Sequence, residues 1–143
     1  GEIHKDFHLG TNKSVKYIMS TYGQDFLAEL CRRTAQLVYR DIYQSLQQGD
    51  SAPLLEHLEY YLSREGGEYQ LLRNGDVTEI AVRRCPMLTH IAERGSDISP
   101  HMGDFLSGLY GSWGEGTPFM ITVDYRHPET GYTITLRRRH AAE

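Results

Sequence analysis

Apolar and polar positions recur with two different periods along the 143 residues, and the changes of period mark out the elements. In "SVKYIMSTYGQDFLAELCRRTAQLVYRDIYQSLQQGD" the apolar positions return every three or four residues, the spacing of a helix that buries one face. Val15, Ile18, Met19 and Tyr22 make the first such face. Gly23 then predicts a break or tight junction, because glycine inside a helix costs roughly 1 kcal/mol relative to alanine. Phe26, Leu27, Leu30, Cys31, Leu37, Val38, Ile42, Tyr43 and Leu46 continue the stripe as a core-facing helix up to Gly49-Asp50. A further helix is expected in "SAPLLEHLEYYLSREGG", with Ser51 as N-cap, Pro53 in the first turn and Gly66-Gly67 as the stop.

The period then falls to two. "EYQLLR" and "VTEIAVRRC" read as strands joined at Asn74-Gly75, a pair suited to a tight hairpin turn. Pro86 lacks a backbone donor and ends strand pairing just after Cys85, then opens the short helix "PMLTHIAERG". Another helix is expected in "SPHMGDFLSGLYGSW", followed by strands "FMITVDYR" and "YTITLRRR" around the turn-rich "HPETG". Helices, hairpin, helices, hairpin is the order of a two-layer α+β domain: N-terminal helices and a small, mostly antiparallel sheet of about four strands covered on one face. The whole of 1–143 reads as one compact domain, with residues 1–10 as a flexible or site-capping arm.

Composition narrows the functional classes. The formal charge of -4 with neutral histidines disfavours nonspecific attraction to nucleic acid, and "RRRH" at 137–140 is the only dense basic run. No stretch approaches the roughly 18 apolar residues of a membrane span, and the opening "GEIHKDFHLG" has no apolar signal core. Two cysteines are too few for a disulfide framework. These features lead to an expectation of a cytoplasmic protein that engages neither nucleic acid nor membrane. Ten tyrosines in this length point to a polar-lined cavity or an interface, since each buried hydroxyl needs a partner. A second copy of the chain is therefore a candidate partner.

The two cysteines differ in setting. Cys31 falls on the apolar face beside Leu27, Leu30 and Val38, as a packed, inert thiol would. Cys85 lies where a strand ends and a helix begins, near backbone amides that favour a thiolate, and is either a site thiol or a packed one. Arg83 and Arg84 alternate to opposite faces, so one at most shares the face of a site. His101, arriving from a loop, is a better acid–base partner for Cys85 than His90, which lies five residues further along one helix and not a whole number of turns away. "GSWGEGTPF" at 111–119 reads as a cavity-edge loop in which Trp113 offers apolar surface and Glu115 a carboxylate. His4 and His8, at a spacing of four, would share one face if that segment were helical. With His101 and Cys85 they supply donors that suit zinc or iron better than magnesium or calcium.

Taken together, "YGQDFLAELCRRTAQLVYRDI", "VTEIAVRRCPMLTHIAERG" and "FMITVDY…GYTITLRRR" resemble the L-2-amino-thiazoline-4-carboxylic acid hydrolase-like family over about residues 15 to 139. The most specific part is an apolar strand ending in Arg84-Cys85-Pro86. The resemblance implies a small-molecule hydrolase that cleaves a non-peptide carbon–nitrogen bond, as in a thiazoline or a related carboxylated substrate. Cys85 would attack carbon, His101 would move the proton and Arg84 would hold substrate charge. A metal-activated water held by some of His4, His8, Cys85 and His101 is the competing route. Relatives often carry a Gly-Asp-x-Cys-like segment near the last strand, where this chain has "TGYTITL", and a second cysteine where it has "HMGDFLSG". The alternative is therefore a noncatalytic small-molecule-binding or accessory domain, related to binding domains of the vinyl-reductase type. Tyr110 and Trp113 would line its cavity, and Arg84 and Glu115 would select a polar group.

Overall fold

Gly23 separates the first two helices, and its φ of 89° is a conformation open to glycine and strained for other residues. The computed structural model describes residues 2–64, 66–95, 99–125 and 131–139, with side chains from residue 11 onward. Helix α1 spans Glu2–Thr21, α2 Gln24–Arg33, α3 Arg40–Gln47 and α4 Ala52–Arg64. Strands β1 (Glu68–Asn74) and β2 (Val77–Arg84) form the first hairpin, with Gly75 at φ 61° in its turn. Helices α5 (Pro86–Glu93) and α6 (Met102–Gly114) follow, and then strands β3 (Phe119–Asp124) and β4 (Tyr132–Arg138). The fold is α+β, with N-terminal helices and a four-stranded antiparallel sheet.

The sheet runs in the order β1-β2-β4-β3, so the two hairpins join through their second strands. Strand alternation puts one face into the core. Ile80 stands opposite Leu71 on one side and Ile134 on the other, and Ile134 in turn faces Val123. The neighbouring rung sets Val82 between Tyr69 and Tyr132. Ile80, Val82, Ile121, Tyr132, Ile134 and Leu136 are buried there beneath Leu54, Leu58, Leu62, Leu88, Ile91 and Leu106 of the helices.

Small residues bring α6 close to its neighbours. A Cβ at Gly108 would lie 3.2 Å from Cys31 Sγ of α2, and one at Gly114 would lie 2.9 Å from the Phe119 carbonyl of β3. Buried Asn12 ties α1 to the approach to α6, its Oδ1 accepting the Ser99 N–H at 2.8 Å.

The single helical stripe expected through Leu46 fails in its middle. Residues Thr34–Val38 form a π-helical turn, in which the Tyr39 N–H reaches the Thr34 carbonyl at 3.1 Å. A wider turn rotates the positions that follow it relative to an α-helical count. Ala35 is buried, while Leu37 and Val38, expected to face the core, are 67% and 73% exposed. Tyr22, Phe26 and Leu30 are also exposed, so of the two predicted faces only Val15, Leu27, Cys31 and Leu46 are buried.

Candidate functional site

Cys85 ends β2 in an extended conformation and serves as the N-cap residue of α5, with Pro86 in the first turn. Its carbonyl accepts the Thr89 N–H at 2.9 Å, but its side chain caps no amide of the helix. The thiol is instead turned into the core, and the residue is 1% exposed. Tyr132 of β4 donates its phenol to Cys85 Sγ at 3.7 Å. Tyr110 of α6 shares a hydrogen bond with Tyr132, and the Tyr125 and Tyr132 rings lie 6.3 Å apart.

These phenols are strongly biased toward their protonated forms. Burial pushes Tyr110 and Tyr132 well above the usual phenol range. Cys85 pushes both the same way, as does Tyr110 acting on Tyr132. Tyr125 is raised to about 12, first by burial and then by Cys85. Neutral phenols can satisfy a buried sulfur without placing charge in the core.

An aromatic chain continues from this cluster to the helical side of the core. The Tyr110 ring lies 5.4 Å from Trp113, which lies 5.7 Å from Tyr39 and 6.3 Å from His57. Trp113, which closes the expected helix "SPHMGDFLSGLYGSW" and also falls in the expected cavity-edge loop, belongs to α6 and is 2% exposed. Its indole Nε1 is buried with no hydrogen-bond partner. Burial lowers the pKa of His57.

The other residues singled out from the sequence occupy different surroundings. His101 Nδ1 meets Asp104 Oδ2 at 3.2 Å, and its side chain is 41% exposed. Arg84 Nη2 reaches Glu93 Oε1 at 3.3 Å on the surface. Arg83 is exposed as well. Glu115 is exposed, and its backbone carbonyl accepts the Tyr43 phenol at 2.7 Å. The structure thus groups Tyr110, Trp113 and Cys85 in the interior and leaves Arg84, Glu115 and His101 toward solvent. The side chains of His4 and His8 lie outside the described residues. Among the described residues no group of three His, Cys, Asp or Glu side chains is placed to hold a metal ion, so these residues alone do not make a metal site.

Two described surface grooves have volumes of about 390 Å³, along Leu37–Ile42, and about 510 Å³, beside Tyr60, Arg64 and Tyr69. Cys85, Tyr110 and Trp113 line neither of them. Tyr132 was the important omission from the sequence-based site, although the count of ten tyrosines was a signal for such a partner. Among the described residues no helix is long and apolar enough to cross a membrane.

No family model matches the chain, and no curated protein does. Among solved structures, the fold is similar to a trafficking protein particle complex subunit 3 from Naegleria fowleri, covalently bound to palmitic acid. The TM-score is 0.53 at 9% identity, over 98% of each chain. At that identity the likeness is one of fold.

Proposed function

We propose that this chain is a noncatalytic accessory domain that works as a component of a protein assembly. The observation that carries this reading is the setting of Cys85. A nucleophile needs access to substrate and a base within hydrogen-bond reach. Here the thiol is buried at 1% exposure and receives a phenol, while the imidazole proposed as its base sits toward solvent against Asp104. A core of neutral tyrosines around sulfur suits a structural junction between β2, β4 and α6. The similarity in fold to a subunit of a trafficking particle supports the same reading.

Turnover of 2-amino-thiazoline-4-carboxylate by the parent, Cys85→Ser and His101→Ala proteins tests it. The expected result is hydrolysis no faster than in buffer for all three. Parent turnover that is lost in Cys85→Ser would overturn the proposal in favour of a hydrolase. Alkylation of the native protein, read by intact mass, gives a second readout. Both thiols should stay unmodified until denaturant is added, and rapid native labelling of Cys85 would show the access that a substrate needs.

A further inference from the structure

We infer that the exposed apolar stripe along α2 and the π-turn is a self-association face, taking a second copy of this chain packed antiparallel about a dyad near Leu30. Tyr17, Tyr22, Phe26, Leu30, Leu37 and Val38 are all exposed. They form a run: the Tyr17 and Tyr22 rings lie 6.1 Å apart, and Tyr22 stacks on Phe26 at 4.7 Å. Leu30 follows one helical turn after Phe26, and the exposed Leu37 and Val38 lie in the π-turn that continues directly from α2. Of the remaining exposed large apolar side chains among the described residues, Tyr39 follows Val38 with its ring against His57 and Trp113, and Tyr60, Leu72 and Met120 are single residues on α4, β1 and β3.

Area and charge select the occupant. From these fractional exposures the stripe presents roughly 700 Å² of side-chain surface, above the largest apolar patch of a typical monomer and close to the roughly 800 Å² per partner of a standard interface. It needs little else to complete a dimer contact. The stretch 22–41 holds three acids (Asp25, Glu29, Asp41) and three arginines (Arg32, Arg33, Arg40), so it is neutral within a chain of charge -4. Glu29 is already engaged by Arg32 and Arg33. A neutral strip offers a strongly charged partner no particular attraction and lets two identical copies meet without like-charge repulsion.

Polarity along the strip sets the orientation. Its aromatic end is Phe26 with Tyr22 stacked on it, its aliphatic end is Leu37 and Val38, and Leu30 lies between the two ends. A two-fold axis there sets the aromatic end of each copy against the aliphatic end of the other, as an isologous interface requires. The contact does not depend on whether the chain is catalytic.

Sedimentation velocity from micromolar to hundreds of micromolar protein tests the face. The parent should dimerise, and Leu37→Glu/Val38→Glu should weaken the dimer at least about tenfold without moving the thermal unfolding midpoint measured at a concentration where both proteins are monomeric. Phe26→Glu, on a different element, should weaken it independently, while Tyr60→Glu should leave it unchanged. Leu30→Cys should form an intermolecular disulfide under mild oxidation, where Tyr60→Cys does not. The buried native thiols do not compete in that experiment. A parent that stays monomeric throughout the range overturns the inference. So does a dimer indifferent to both Phe26→Glu and the Leu37/Val38 pair, or Leu30→Cys protein that fails to cross-link as a dimer.

Discussion

The phenol of Tyr132 donates to the thiol of Cys85 across 3.7 Å of buried core, joining the first residue of β4 to the junction of β2 and α5. A buried hydrogen bond of this kind contributes about 1 kcal/mol net, and losing one partner leaves the other unsatisfied. Tyr132→Phe should therefore destabilise the protein by roughly 1 kcal/mol in urea denaturation. Combined with Cys85→Ala in a double-mutant cycle, it should show a coupling of at least about 0.5 kcal/mol. Additive losses would mean that the two groups are neighbours without an energetic bond.

Cys31 reports on the other side of α6. Its sulfur donates to the Phe105 carbonyl at 3.5 Å, and burial raises its pKa from 9.0 to about 11. A raised folded-state pKa means that the unfolded chain loses its proton first. The stability this group contributes is full below pH 9 and is lost as pH rises toward 11, with a slope of up to roughly 1.4 kcal/mol per pH unit. Stability measured at intervals from pH 8 to 11 should fall through that window. Cys31→Ala should flatten the slope even though it lowers the absolute stability by opening a small cavity. An identical slope in the variant would exclude Cys31 as its source.

Close approaches at glycines predict two different penalties. A Cβ at Gly131 would sit 2.5 Å from the Val82 carbonyl and 2.9 Å from that of Arg83, both backbone atoms that cannot swing aside. At Gly108 the obstacle is the Cys31 side chain. Gly131→Ala should cost about 3 kcal/mol or more, and Gly108→Ala about 1–2 kcal/mol. Adding Cys31→Ala should recover part of the Gly108→Ala loss, because the nearest sulfur is then gone. No recovery would place the strain elsewhere along the α2–α6 contact.

The order of elements was legible because each carries its own local signal. The three-to-four spacing, the Asn74-Gly75 turn, Pro86 at a helix start and the alternation in β4 each depend on neighbours along the chain. Which face each helix turns inward was less legible. The π-turn at Thr34–Val38 has no composition cue of its own, and it moves Leu37 and Val38 from the predicted core to solvent. Exposure of Tyr22, Phe26 and Leu30 shows a second limit: an apolar stripe in sequence does not distinguish a core from an interface.

The candidate site was legible one residue at a time and not as a constellation. The Arg84-Cys85-Pro86 segment marked the strand-to-helix junction. The partner of Cys85, however, comes from β4, whose pairing with β2 is a long-range event. Tyr132 looks in sequence like an ordinary strand tyrosine. Trp113 sits beside three glycines in six residues, which suggested a loop. Those glycines instead include Gly111 and Gly114 near β3, where the absence of side chains lets α6 lie close to the sheet.

The aromatic chain gives a pH signal that its single tryptophan can report. His57 on α4 lies 6.3 Å from Trp113 and 5.3 Å from Tyr39, and burial lowers its pKa from 6.5. Because the folded state disfavours the imidazolium, its contribution to stability is present above pH 6.5 and is lost as pH falls through the lowered folded-state pKa. Trp113 emission should therefore titrate with a midpoint below 6.5 while the protein remains folded, since a charge arriving at this distance changes the indole's surroundings. His57→Gln should remove that transition and flatten the stability profile just below pH 6.5, above the range of ordinary carboxylates. Trp113→Phe should keep the pH dependence of stability while silencing the optical signal, which separates the titrating group from its reporter. It should cost little more than the lost packing, because the indole Nε1 it removes has no hydrogen-bond partner to lose. A midpoint at or above 6.5, or an unchanged transition in His57→Gln, would rule out His57 as the group that Trp113 senses.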